Sequence, residues 1–135
     1  MPLTRISAPN HLPDLQVKAL AEAAQDALVD TCNVPAKDLF QLISRFEADA
    51  MILDRSFGNV RRSDDACIVE VLFLRGRTDD QKRHLFRQMV ERATLAGFRP
   101  DDIVIALTEN SSADWSLGMG IRYADLVDDA EQRDA

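Results

Sequence analysis

The chain has 135 residues, 46 % of them hydrophobic and 29 % charged, the balance of a globular chain with one core that buries about 70 % of its unfolded surface. Sixteen basic against twenty-three acidic side chains leave a net charge of −7, which repels a polyanion and argues against a nucleic-acid partner. No apolar run approaches the roughly 20 residues that span a bilayer, and no charged flank leads into an apolar block at the start, so a cytoplasmic protein with no membrane partner is expected.

Residues 2–7, PLTRIS, read as a strand that begins almost at the first residue. Pro2 either only starts that strand or, with Met1 removed, presents a secondary amine. Methionine aminopeptidases accept a small second residue, and proline qualifies. Residues 14–32 place Val17, Leu20, Ala24, Ala27 and Leu28 at helical spacing, with Lys18, Glu22, Gln25 and Asp26 elsewhere around the cylinder, which predicts an amphipathic helix. A strand follows over 39–46, LFQLISRF, entered through VPAKD with Asp38 at its threshold. The stretch 54–65 reads as a loop. Residues 67–74, CIVEVLFL, form the next strand, and LRGRTDDQ leads into a second helix over 79–96 with Leu85, Phe86, Met89, Val90 and Ala93 inward. Thr78 followed by Gln81 is a capping-box start, and Gly97 a C-terminal stop. IVIALT, 103–108, is a fourth strand, and 123–135 an acidic tail, solvated and partly disordered.

A gapless offset of 65 aligns Gln16 with Gln81, Leu20 with Leu85 and Pro35 with Pro100, and sets Pro2 opposite Cys67. One domain over 1–135 with two β-α-β halves, about 2–53 and 66–117, is therefore expected. Right-handed crossovers in one four-stranded mixed sheet put both helices on the same face, an α/β (α+β) arrangement. Both alternating sets in 67–74 are largely apolar, with Glu70 the exception. A strand buried on both faces needs a second cover, which predicts an oligomer.

The chemistry has few candidate seats. Arg75 and Arg77 flank Gly76 just before a helix N-terminus. Residues two apart in extended backbone project to one side, so the two guanidiniums can converge on a carboxylate with help from the helix dipole; the alternative is two solvated arginines. Asp38 is either a turn or strand-start residue or an acid facing the site. An α-amino group titrates near about 7.7 to 8.0, within reach of neutral-pH acid or base chemistry; nearby arginines favour its neutral form and a nearby carboxylate its cationic one. Trp115, the only tryptophan, lies in ENSSADWSLGMG, as a structural plug or a pocket wall. His11 and His84 are isolated. Cys32 and Cys67 read as reduced core residues, and neither a metal cluster nor a phosphate loop is readable.

Together, the proline-led strand, VPAKDLFQ, RGRTDDQK and ADWSLG resemble, in order and spacing and over nearly the whole chain, the malonate semialdehyde decarboxylase-like branch of the tautomerase superfamily. The resemblance implies a homotrimer of β-α-β-β-α-β subunits with no cofactor and no metal. In it Pro2 matches the catalytic proline, Asp38 its acidic partner, Arg75 and Arg77 the arginines for the substrate carboxylate, and Trp115 and Leu117 the apolar wall. Leu39 stands where related sequences commonly carry arginine, and Leu117 where they carry phenylalanine, which implies a wider and less cationic pocket. The expected activity is decarboxylation of a small 3-oxo acid such as malonate semialdehyde. A keto-enol tautomerase, a hydratase of a short unsaturated acid, and a non-catalytic trimeric binding protein are the alternatives.

Overall fold

The computed structural model of the chain describes residues 1–127. Strands β1 (Leu3–Pro9), β2 (Gln41–Phe46), β3 (Cys67–Leu74) and β4 (Ile103–Asn110) accompany two long helices, α1 (Asp14–Cys32) and α2 (Asp79–Leu95). The sheet runs β2-β1-β3-β4, parallel within each β-α-β unit and antiparallel where β1 meets β3. This is the tandem β-α-β, four-stranded mixed sheet that the sequence implies.

The expected stripe of α1 is buried, because apolar side chains at that spacing share one side of a 3.6-residue turn. Gln25 is buried too, against expectation, and its Nε2 donates to the Asp38 carbonyl oxygen at 3.2 Å. In α2 the packing comes from Leu85, Met89 and Ala93, while Phe86 is turned outward and 37 % exposed. The α2 capping box is complete: Gln81 N donates to Thr78 Oγ1 and Thr78 N to Gln81 Oε1, worth about 1 kcal/mol. At its other end Phe98 N reaches the Ala93 carbonyl and Gly97 N that of Thr94. This closure needs the left-handed backbone of Gly97, at φ +95°, which glycine adopts without strain.

Ile6, Ala8, Val69, Val71 and Phe73 join the helix residues in one core, so both helices cover the same face of the sheet. On the other face Leu3, Ile68, Leu72 and Leu74 are only half-buried and Leu42 is 52 % exposed. At the centre of this face Arg5 pairs with Glu70. These two positions are themselves related by the 65-residue offset, so the repeat is a near-twofold rotation about that pair. Asn10 N to Phe46 O and Arg75 N to Asn110 O, both 2.8 Å, are related bonds. Beyond Pro35 and Pro100 the offset falls to 64, since Thr4 pairs with Gln41 but Val69 with Ile105.

The segment after β4 folds back on itself. Residues 123–127 are helical, Tyr123 N donates to the Trp115 carbonyl at 2.8 Å, and Ser116 bridges Arg122. The start of the acidic tail is thus tied down where a solvated end was expected, and 128–135 lie outside the described residues.

Candidate active site

The strand pairing brings the candidate residues to one end of the sheet. Thr4 lies beside Gln41 and Leu3 beside Leu72, so continuing the two registers sets residue 1 between Asp38 and Leu74. The structure agrees: the Met1 ammonium lies 3.3 Å from Asp38 Oδ2, with only 7 % and 15 % of the two side chains exposed. Pro2 is fully buried. Asp38 is fixed from behind, its N–H on the Pro35 carbonyl and its own carbonyl on Gln25. Periodicity counted Gln25 as surface; the signal that could have found it is its place one turn after Ala21, whose carbonyl accepts from Gln41 Nε2 at 2.7 Å.

The two arginines follow directly from β3, but by different routes. Gly76 has φ +122°, so the backbone is not extended between them and the same-side argument does not hold. Arg77 donates from Nη1 to the Leu74 carbonyl at 2.7 Å and from Nη2 to the Cys32 carbonyl at 3.2 Å, over the face of Phe73. It ties the end of β3 to the end of α1. Arg75 is exposed and stands in an acidic setting. Glu109 is held below the usual carboxylate range first by its hydrogen bond from Lys82, then by that ion pair's charge, the Gly76 N–H and Arg75. The same pairing pushes Lys82 up. Asp114 is lowered chiefly by the N–H and hydroxyl of Ser111, with Arg75 adding to it.

Trp115 sits at the same end because β4 runs two residues beyond the expected IVIALT. Its last residue, Asn110, accepts the indole N–H on Oδ1 at 2.6 Å, while the Asn110 main chain pairs with Leu74 and bonds the Arg75 N–H. Asn110 therefore fixes Trp115 relative to Arg75, and an asparagine closing an apolar strand was the sequence signal for it. Leu117 is 45 % exposed and Leu39 is 53 % exposed, so neither closes over the site within one chain. Two hollows lie elsewhere: about 370 Å³ at the opposite end of the sheet, beside Pro9, His11, Ser63 and Ala66, and about 190 Å³ on the open face beside Arg5 and Glu70. Neither touches Pro2, Asp38, Arg75 or Arg77. Among the described residues no cluster of three or more His, Cys, Asp or Glu could hold a metal, and no helix is long and apolar enough to cross a membrane.

A family model described as tautomerase enzyme matches residues 38–118, and the chain belongs to that family. The probable tautomerase YusQ of Bacillus subtilis (strain 168) is 28 % identical over 121 residues, 89 % of this chain and 95 % of that one. Among solved structures, FG41 malonate semialdehyde decarboxylase inhibited by 3-bromopropiolate superposes with a TM-score of 0.87 at 31 % identity, covering 93 % of this chain and 96 % of that one. A fused 4-OT, described as a symmetric trimer, shares the fold at a TM-score of 0.74 and 20 % identity, covering 90 % and 96 % of the two chains.

Proposed function

We propose that the chain is a cofactor-independent decarboxylase of a small 3-oxo acid such as malonate semialdehyde, working through the amine that Pro2 presents once Met1 is removed. The observation that carries the reading is the placement of the chain's amino end: the Met1 ammonium lies 3.3 Å from Asp38 with Pro2 buried directly behind it, at the sheet end from which Arg75 and Arg77 emerge. A carboxylate there is the partner of a cation, whether the protonated amine that polarises a carbonyl oxygen or the iminium that the neutral amine forms with a carbonyl carbon. The likeness to a malonate semialdehyde decarboxylase at 31 % identity supports the same chemistry.

In this mechanism Arg75 receives the substrate carboxylate. Arg77, two of whose five N–H donors are held by main-chain carbonyls, shapes the floor with the rest. Cationic Pro2, paired with Asp38, polarises the aldehyde oxygen, or, after losing its proton to solvent, adds as the neutral amine to the aldehyde carbon and forms the iminium with loss of water. The bond to the carboxylate then breaks, carbon dioxide leaves, and its electron pair settles as an enol or enamine. Protonation at carbon, with hydrolysis on the iminium route, releases the aldehyde and restores the amine. Trp115 supplies an apolar wall that disfavours the localised carboxylate charge relative to the dispersed transition state.

The assembly proposed with this function is a homotrimer, in which neighbouring copies cover the half-buried sheet face and the exposed Leu39 and Leu117; the trimeric fused 4-OT of the same fold supports it. Carbon dioxide release from a panel of short 3-oxo acids tests the activity, and Arg75→Ala should lower kcat/KM on the order of 10²-fold. A keto-enol tautomerase is the second reading, favoured by the family description and YusQ. It needs neutral Pro2 as base, so its rate rises with pH as the amine loses its proton, whereas decarboxylation in which cationic Pro2 polarises the aldehyde oxygen slows.

A further inference from the structure

The first residue of a chain is ordinarily frayed and solvated, yet only 9 % of Met1 is exposed and Pro2 behind it is fully buried. Its ammonium is held 3.3 Å from Asp38 Oδ2, and the registers of β1 against β2 and β3 set it between Asp38 and the end of β3. The two hollows described above both lie elsewhere. We propose that Met1 fills the seat of the substrate, and that it can be removed only while the end of β1 is unpaired, before the sheet closes. The part concerning the substrate seat rests on the reading of Pro2 as the catalytic amine.

The chemistry of removal makes the requirement plain. A water molecule adds to the Met1 carbonyl carbon, the bond to Pro2 N breaks, methionine leaves carrying the new carboxylate, and Pro2 N keeps the proton. A peptidase must therefore surround the methionine side chain and reach the Met1–Pro2 amide. The folded chain offers neither, because the side chain is buried, the amide adjoins a fully buried proline, and the Asp38 ion pair holds the terminus inward. A peptidase acting on the nascent chain meets no such obstacle. Two further consequences follow. Excision empties a space about one residue deep beside Asp38, which suits a short acyclic oxo acid. A chain that folds with Met1 in place is locked in an inactive form, since its terminal nitrogen is displaced from Pro2 and the seat is full.

The test uses chain freed from an N-terminal fusion by a protease that leaves Met1 in place, folded, and then treated with methionine aminopeptidase. The peptide of residues 1–9, MPLTRISAP, is the reference substrate, and intact mass is the readout. The folded chain should lose Met1 at least about 100-fold more slowly than the peptide, because cleavage waits on local opening of the strand end. Asp38→Asn, which removes the ion pair, should lose it faster than the parent. Loss from the folded parent within about threefold of the peptide rate would overturn the proposal, because no barrier from folding would then exist. The readout is independent of activity. Slow excision combined with an inactive Pro2-initiated chain would sink the catalytic reading and leave the protection of Met1 standing.

Discussion

The two ends of the sheet, related by the near-twofold through Arg5 and Glu70, carry an aspartate in the same place and use it oppositely. At one end Asp38 faces the chain terminus at 3.3 Å. At the other, the continued register of β3 with β4 sets Asp102 beside Ala66, where the chain is unbroken and offers only an amide. Asp102 is fully buried, and its carboxylate accepts from the Ser63 N–H at 2.7 Å and the Ser63 hydroxyl at 2.6 Å. Cys67, the counterpart of Pro2, is pushed from 9.0 up to about 12, first by burial and then by Asp102 and Asp65. The arginines diverge likewise. Arg77 grips the Leu74 carbonyl, and at the related end Arg45, from a different strand, grips those of Pro9, Asn10 and Leu12. A duplicated fold builds two equivalent sheet ends, but one chain has one amino terminus. The end that has it can do amine chemistry, and the other is free to be spent on stability.

Exchanging matched residues should separate these roles. Pro2→Ala should lower turnover about 10²- to 10⁴-fold, the usual worth of a positioned acid or base. Cys67→Ala should leave turnover unchanged and cost on the order of 1 kcal/mol by urea denaturation. The aspartates come next. Asp102→Ala strands two part-buried donors of Ser63 and should cost about 1–3 kcal/mol of stability, whereas Asp38→Asn should lower turnover with little change in the urea midpoint. Equal stability losses at both would erase the distinction between the two ends.

A smaller effect is expected at Asn110. Replacing it with alanine removes a hydrogen bond worth about 0.5–1.5 kcal/mol and should shift the emission of the single tryptophan to the red and raise KM more than it lowers kcat. The subtlest is at Cys67. Iodoacetamide at pH 8 should leave its thiol unmodified in the folded chain. Because folding raises this thiol to about 12, its contribution to stability is complete below its ordinary 9.0 and is lost as pH climbs towards 12. A pH titration of the urea midpoint, with Cys67→Ala as control, reads that slope.

Much of this was legible in the sequence because it rests on short-range patterns. β3 falls on the apolar run CIVEVLFL, and both helices start where their apolar stripes do; Thr78 with Gln81 announced the cap that forms. The resemblance gathered Pro2, Asp38, Arg75, Arg77 and Trp115, and the topology brings their segments to one end of the sheet. What escaped was polar and long-range. Gln25 reads as surface by periodicity, yet it bonds a carbonyl 13 residues away. The i, i+2 rule for Arg75 and Arg77 assumed extended backbone, and Gly76 turned it aside. Asn110 extended β4 because its backbone pairs with Leu74, a partner that local propensity does not count. The counterpart end, with Asp102 in the place of Asp38, becomes visible only once the pairing shows that one residue drops out of the repeat after Pro100.

The central claim is that an amine on Pro2, beside Asp38, does the chemistry. The most direct measurement is carbon dioxide release from malonate semialdehyde by two otherwise identical preparations, one beginning at Pro2 and one retaining Met1, each verified by intact mass. The account predicts turnover by the Pro2-initiated chain and background release by the Met1 form. Equal rates in the two preparations would contradict it.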